Sequence, residues 1–329
     1  MFASMQMQAH AQGIHFSQYY NAPLLLNPAN TALMSEDDYR LGVNYRDQWS
    51  SVPVPFKTIS AYGDLQAFKN VNGTNWLGLG FAFFNDAAGD GKLSLTRGDF
   101  SIAYHVQTGD NFMVSAGFSV ASASRSVDYN KLTFDIQWDG FEFNKNLSNG
   151  EQINIVKTNY FDMGAGLNFA YFPNEAVFIK LGGGVAHINN PKETFYNQTN
   201  QMGIRPIANL DAMLIMNENF TLNPSVYYSS QRGASEILAG TLLYANVGGA
   251  KNGNFSIIAG GHYRVNEAFV ASIGMQWSGL RIMSSYDYSM SSLGVETKGK
   301  GALEFGLVYQ GKYGERLHSP KNMNCPRFY

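Results

Sequence analysis

The 329-residue sequence holds one cysteine, Cys325, so neither an intrachain disulfide framework nor a zinc site of several thiolates is available to it. Charge is scarce too: 15% of residues are charged, against roughly 25% in an ordinary soluble domain. The 23 Lys and Arg nearly balance the 25 Asp and Glu, so no basic footprint points to nucleic acid. No stretch reaches the ~18 continuous apolar residues of a membrane helix. The uncharged run Ile237 to Ala250 is too short and too rich in Gly and Asn. A helical membrane protein is excluded. No GxSxG, HExxH, CxxC or Walker motif occurs, and no GxGxxG in a strand-to-helix context, so no catalytic residue, cofactor or metal ligand is assigned.

What fills the space is 34 glycines and an aromatic share of 14%, with a mean hydropathy of −0.20. A transmembrane β-barrel has this composition, because alternation spreads its apolar residues thinly along each strand. Period-two alternation recurs from residue 37 onward. Leu41, Val43 and Tyr45 alternate with Arg40, Asn44 and Arg46; Val114, Ala116 and Phe118 alternate with Ser115, Gly117 and Ser119. Similar segments begin near residues 59, 77, 100, 163, 177, 208, 220, 237, 255, 269, 280 and 303, giving about 14 strands. A soluble sandwich produces the same alternation. Connection lengths and the small, Gly-rich polar face favour the barrel.

The fold expectation is therefore all-β: a transmembrane antiparallel β-barrel of about 14 strands, with long extracellular loops and short periplasmic turns. Tight turns fall at Pro173-Asn174, Asn217 to Asn219 and Ser278-Gly279. Long segments fall at Arg125 to Thr158, Asn189 to Gly203 and Ser289 to Lys300, with the short Val265 to Glu267 connection as an exception. Both termini are expected on the short-turn side, in an integral protein of the bacterial outer membrane.

The domain reading has four parts. Residues 1–11 are the remnant of an export signal, because Ala9-His10-Ala11 before Gln12 has the small-x-small form of a signal-peptidase site. Residues 12–36 carry Pro23 and Pro28 and do not alternate, so they form a periplasmic lead or a lumen plug. The barrel takes residues 37–313, and residues 314–329 form a periplasmic tail.

The inward face carries both signs: Arg40, Arg46, Lys180, Arg264 and Arg281 with Asp64, Asp162, Asp211, Asp287 and Glu304. A one-sided ring would suit ion selection better, so a cross-braced interior is expected. His105 and His262 share that face with serines such as Ser101 and Ser256. They read as satisfied lumen histidines, or as hydrolase groups if a triad geometry forms. Gly182-Gly183-Gly184 lies inside a strand and reads as room for neighbouring side chains. Candidate partner-binding residues are Phe134 and Trp138, a docking patch or a small loop core, and Arg327, Phe328 and Tyr329 at the end of a basic tail.

Several segments taken together resemble one family. His15-Phe16-Ser17-Gln18-Tyr19-Tyr20 followed by Leu26-Asn27-Pro28-Ala29 is similar to the N-terminal hallmark of the PorP/SprF outer-membrane proteins. Tyr45-Arg46-Asp47-Gln48-Trp49, Ser285-Tyr286-Asp287-Tyr288 with Ser292-Leu293-Gly294, and the ending Cys325-Pro326-Arg327-Phe328-Tyr329 add to it. The resemblance implies a non-enzymatic outer-membrane component of the type IX secretion and gliding machinery of Bacteroidota. Its implied partners are a secreted or surface-anchored protein with a C-terminal sorting domain and other secretion components. A passive channel for small or hydrophobic solutes is the alternative.

Overall fold

The structure is a computed structural model. It describes residues 16–34, 36–49, 56–70, 72–89, 91–144, 146–148, 150, 157–194, 200–247, 255–290 and 299–313. The candidate signal site and Arg327, Phe328 and Tyr329 lie outside these residues.

Fourteen antiparallel strands run in chain order: β1 (Tyr39–Gln48), β2 (Phe56–Ala67), β3 (Asn75–Ala88), β4 (Leu93–Gln107), β5 (Phe112–Ser126), β6 (Lys157–Asn174) and β7 (Val177–Ala186). The second half comprises β8 (Arg205–Ile215), β9 (Phe220–Gln231), β10 (Ala234–Asn246), β11 (Phe255–Arg264), β12 (Ala268–Trp277), β13 (Leu280–Ser289) and β14 (Lys300–Gly311). Each pairs with its neighbours in sequence, and β1 closes on β14 from Tyr39↔Gly311 to Gln48↔Ala302. Closure leaves no strand edge, which lets a sheet cross hydrocarbon without unpaired backbone groups.

Burial follows the alternation, inverted relative to a water-soluble barrel. In β1, Leu41 and Val43 are exposed on the outside, while Arg40, Asn44 and Arg46 are buried inside. Phe81, Phe100, Phe118, Phe169, Leu210, Ile273 and Phe305 continue the apolar outer surface around the wall. No helix among the described residues is long and apolar enough to cross a membrane.

The two rims differ less than the sequence suggests. One carries connections 49–55, 89–92, 127–156, 187–204, 232–233, 265–267 and 290–299; the other carries 68–74, 108–111, 175–176, 216–219, 247–254 and 278–279. The first holds every connection of ten residues or more, yet it also holds the two-residue turn Arg232-Gly233, both with positive φ (46° and 86°). That geometry matches the twist of a tight hairpin. Near the second rim, Pro224 lacks an N–H for the ladder, and β8–β9 pairing skips from Asp211↔Ser225 to Leu214↔Leu222. Asn223 Nδ2 donates to the Ala212 carbonyl at 2.5 Å across the gap.

Residues 16–34 lie inside the barrel as short turns over Tyr19–Asn21, Pro23–Leu26 and Pro28–Asn30. Pro23 and Pro28 each open a turn, where a missing N–H costs nothing. The segment threads from one rim to the other. Ser17 sits among groups near the 49–55, 265–267 and 290–299 connections, whereas Met34 meets Gln66 near the rim where Tyr39 and Gly311 lie. Both ends were expected on the short-turn side. The last strand does finish there, but the described chain begins near the opposite rim, because the lumen segment must cross the barrel before β1 can start.

Candidate functional site: the filled lumen

The upper end of the lumen segment is fixed by ionised groups. Ser17 Oγ donates to Asp287 Oδ2 at 2.6 Å and accepts from Arg46 Nη1 at 2.9 Å and Arg264 Nη2 at 2.6 Å. The backbone N–H groups of Ser17 and Gln18 donate to the two carboxylate oxygens of Glu304, at 2.7 and 2.9 Å. Arg46 also pairs with Glu304 and with Asp287, and Arg264 pairs with Asp287 and with Glu236 at 2.9 Å. Three carboxylates thus face two guanidiniums, all buried. The backbone donors of Ser17 and Gln18 supply what the third carboxylate lacks, since a buried charge needs partners.

The lower end is held mostly by neutral groups and by shape. Asn27 Nδ2 reaches the carbonyls of Leu167 and Gly183, both at 3.2 Å. Thr31 bonds Ser101 Oγ at 2.8 Å through its hydroxyl and His105 Nε2 at 2.8 Å through its carbonyl. Trp76 Nε1 donates to the Ala32 carbonyl at 2.9 Å. One ion pair joins in: Asp64 binds Arg40 at 2.6 Å and accepts from Ala32 N at 2.6 Å.

Wall glycines make this approach possible. A Cβ at Gly117 would overlap the backbone of Pro28 and Ala29, and one at Gly166 would overlap the Asn27 side chain. Gly78 gives way to Thr31 in the same manner. Gly182 makes room for Asn168 and Asn209, the use expected for that triplet, whereas a Cβ at Gly183 would face outward and meet nothing within 4 Å.

Most of the remaining inward charges are paired, within or across strands; Arg281, buried on the same face, has no ion pair among the described residues. Arg97 bonds Asp99 at 2.6 Å and Asp162 at 2.5 Å, His187 Nδ1 lies 2.9 Å from Asp162, Arg125 meets Glu193 at 2.6 Å, and Lys180 meets Asp211 at 3.4 Å. The interior is cross-braced as the mixed signs imply. His105 and His262 do sit inside, as do Ser101 and Ser256, and the serines bonded to the two rings are Ser115 (2.7 Å) and Ser225 (3.2 Å). Period-two parity fixes a face and not the adjacent strand, so only the structure gives these partners. His105 is fully buried, and its Nε2 contacts the Thr31 carbonyl rather than a carboxylate. The geometry is that of a structural histidine.

Two cavities flank the lumen segment. One of about 210 Å³ lies under the rim with the long connections, against Phe16, Leu24, Leu25, Phe84, Tyr160 and Arg205. A smaller one of about 50 Å³ lies toward the other rim, against Tyr20, Leu33, Lys180 and Asp211. Tyr19 and Leu26 line both. These two side chains form the septum between the two cavities.

At the long-connection rim, Trp138 is exposed and lies 5.0 Å from Phe143, ring centre to ring centre, across an isolated bridge. Phe134, four residues before Trp138, is half-buried. Ile136 and the 93% exposed Phe141 extend the apolar surface. The sequence reading missed both; no periodicity marks a loop residue. Asp139 Oδ1 accepts from the N–H groups of Phe141 and Glu142, both at 2.9 Å, and these bonds hold its carboxyl below the usual carboxylate range.

Comparison with solved structures places the fold among outer-membrane barrels. The toluene transporter TbuX of Ralstonia pickettii is 10% identical with a TM-score of 0.55, over 89% of this chain and 94% of that one. The P. putida toluene transporter TodX is 10% identical with a TM-score of 0.54, over 90% and 95%. A Pseudomonas aeruginosa FadL homologue is 11% identical with a TM-score of 0.50, over 86% and 92%. No curated protein matches the sequence. The family model described as type IX secretion system membrane protein PorP/SprF matches residues 8–309. With its lipid-facing apolar wall, closed sheet and near-complete match, this chain is an integral outer-membrane β-barrel belonging to the PorP/SprF family of type IX secretion system membrane proteins.

Proposed function

We propose that the protein is a non-catalytic docking barrel of type IX secretion, supporting the export or surface anchoring of a partner with a C-terminal sorting domain. One observation carries this reading: the lumen is filled by the chain's own residues 16–34, bonded to the wall along their whole length. A barrel so closed serves better as a platform than as a conduit. The rim with the long connections is the extracellular one in this reading, and the exposed surface around Ile136, Trp138, Phe141 and Phe143 is where a partner would bury aromatic anchors. Deleting the gene should remove at least one protein with a C-terminal sorting domain from the cell surface. The pair Trp138→Ala and Phe141→Ala should reproduce that loss with the barrel still inserted. An unchanged surface proteome in both strains would refute the role.

A second reading is favoured by the septum. The solved barrels of this fold include toluene transporters, and only Tyr19 and Leu26 are shared between the two cavities here. Passive passage of a small apolar solute would need those side chains to move. Uptake of toluene into proteoliposomes, raised by Tyr19→Ala with Leu26→Ala, would favour it.

A further inference from the structure

The larger cavity contains two polar groups that the braced lumen does not use. Arg97 is engaged by Asp99 and Asp162, Arg125 by Glu193, and Asp86 accepts from Thr58 Oγ1 at 2.6 Å. Arg205 has no carboxylate partner among the described residues. It donates to Tyr227 Oη at 3.0 Å and Ser229 Oγ at 3.4 Å through one nitrogen, Nη2, and the rest of its five-donor fork remains available. Tyr160 is 8% exposed, and its hydroxyl has no hydrogen-bond partner. Both residues line the same cavity, whose other surfaces include Leu24, Leu25 and Phe84.

We propose that this cavity binds a small anionic amphiphile, a single-chain carboxylate. Its head group would take Arg205 and the Tyr160 hydroxyl, and its chain would lie over Leu24, Leu25 and Phe84. A planar guanidinium matches a carboxylate in two parallel bonds, and the phenol adds a third donor. A cationic head would sit beside Arg205 and be repelled, whereas a neutral one would leave the guanidinium uncompensated. The volume sets the size. At about 210 Å³ the cavity falls below the roughly 300 Å³ at which pockets for drug-sized ligands begin, so it admits one short chain and no folded domain. The site stands independently of the secretion role.

Decanoate is the probe, titrated calorimetrically into the full chain in nanodiscs, with decanol and decyltrimethylammonium as comparators and empty nanodiscs as the partition blank. Saturable binding of one decanoate is expected, about tenfold tighter than decanol, with no saturable signal from the cation. Arg205→Gln should weaken decanoate about tenfold and leave decanol unchanged, and Tyr160→Phe should weaken it about threefold. Ala186→Phe, which fills the cavity from its wall, should abolish binding of both. Heat-modifiable gel mobility verifies that each variant retains the barrel. Equal decanoate binding by the wild type and Arg205→Gln, or decanol binding as tightly as decanoate, would overturn the proposal. Mass spectrometry of organic extracts distinguishes the natural source. A free fatty acid or an anionic lysolipid, depleted in Arg205→Gln, fits; extracts holding neutral lipid alone contradict it.

Discussion

The two ends of the lumen segment are held by different chemistry. Ser17 and Gln18 dock into buried ions that would lack compensation without them, whereas Asn27 to Ala32 lie against a wall pared to glycine and bonded mainly through neutral groups. Ionic attachment is all-or-none, because losing one member strands the charges left behind. Steric attachment is graded, because each added atom displaces the backbone a little further. The upper end is therefore the one a single substitution can release.

Replacing Arg46 with Gln tests the ionic end and carries the largest expected effect. It leaves Glu304 and Asp287 short of a guanidinium, at a cost of about 3–5 kcal/mol. The urea midpoint for folding into liposomes should fall accordingly, and protease should gain access to the segment near Ser17. A change no larger than that of a surface Arg→Gln would remove the distinction between the ends.

At the steric end, Gly117→Val should cost about 1–3 kcal/mol by driving a side chain into Pro28 and Ala29. Gly183→Val, on the open outer face, should cost little in the same unfolding assay. Equal effects would mean that the wall glycines serve the strand rather than the plug. Trp76→Phe removes one buried bond to the Ala32 carbonyl and should cost about 1 kcal/mol or slightly more, without opening the lumen.

The smallest effect lies outside the membrane. Folding of the loop tip lowers the Asp139 carboxyl, so its contribution is complete above the ordinary unfolded carboxylate value and is lost as pH falls through the lower folded one. Trp138 emission, read in a background with the other tryptophans replaced by Phe, should stay constant near neutrality and change only in acid. Asp139→Asn should abolish that acid transition.

Much of this was legible before the fold was known. Strand number, inward and outward faces, and the mixed charge of the lumen follow from period two, since Arg46, Asp287 and Glu304 can all be placed inside from their own strands. Parity carries no information about which strands stand side by side. For that reason His105 can be placed inside from its own strand, whereas its serine partner, Ser115, cannot be named from the sequence. The direction in which residues 16–34 thread the barrel was hidden too. It depends on Ser17 meeting Asp287 and Glu304, 270 and 287 residues away. The inward face as read from the sequence carries five cations and five carboxylates, and the upper excess of carboxylates appears only once the structure adds Glu236 beside Arg264. The short Arg232-Gly233 turn went unread because its flanking strands run past the apolar core of each alternation.

Planar-bilayer recording of the purified full chain, beside a variant lacking residues 12–34, tests lumen closure most directly. The filled lumen predicts no steady unitary conductance from the full chain and a clear open level from the deletion. A large, steady conductance in the full chain, unchanged by the deletion, would contradict it.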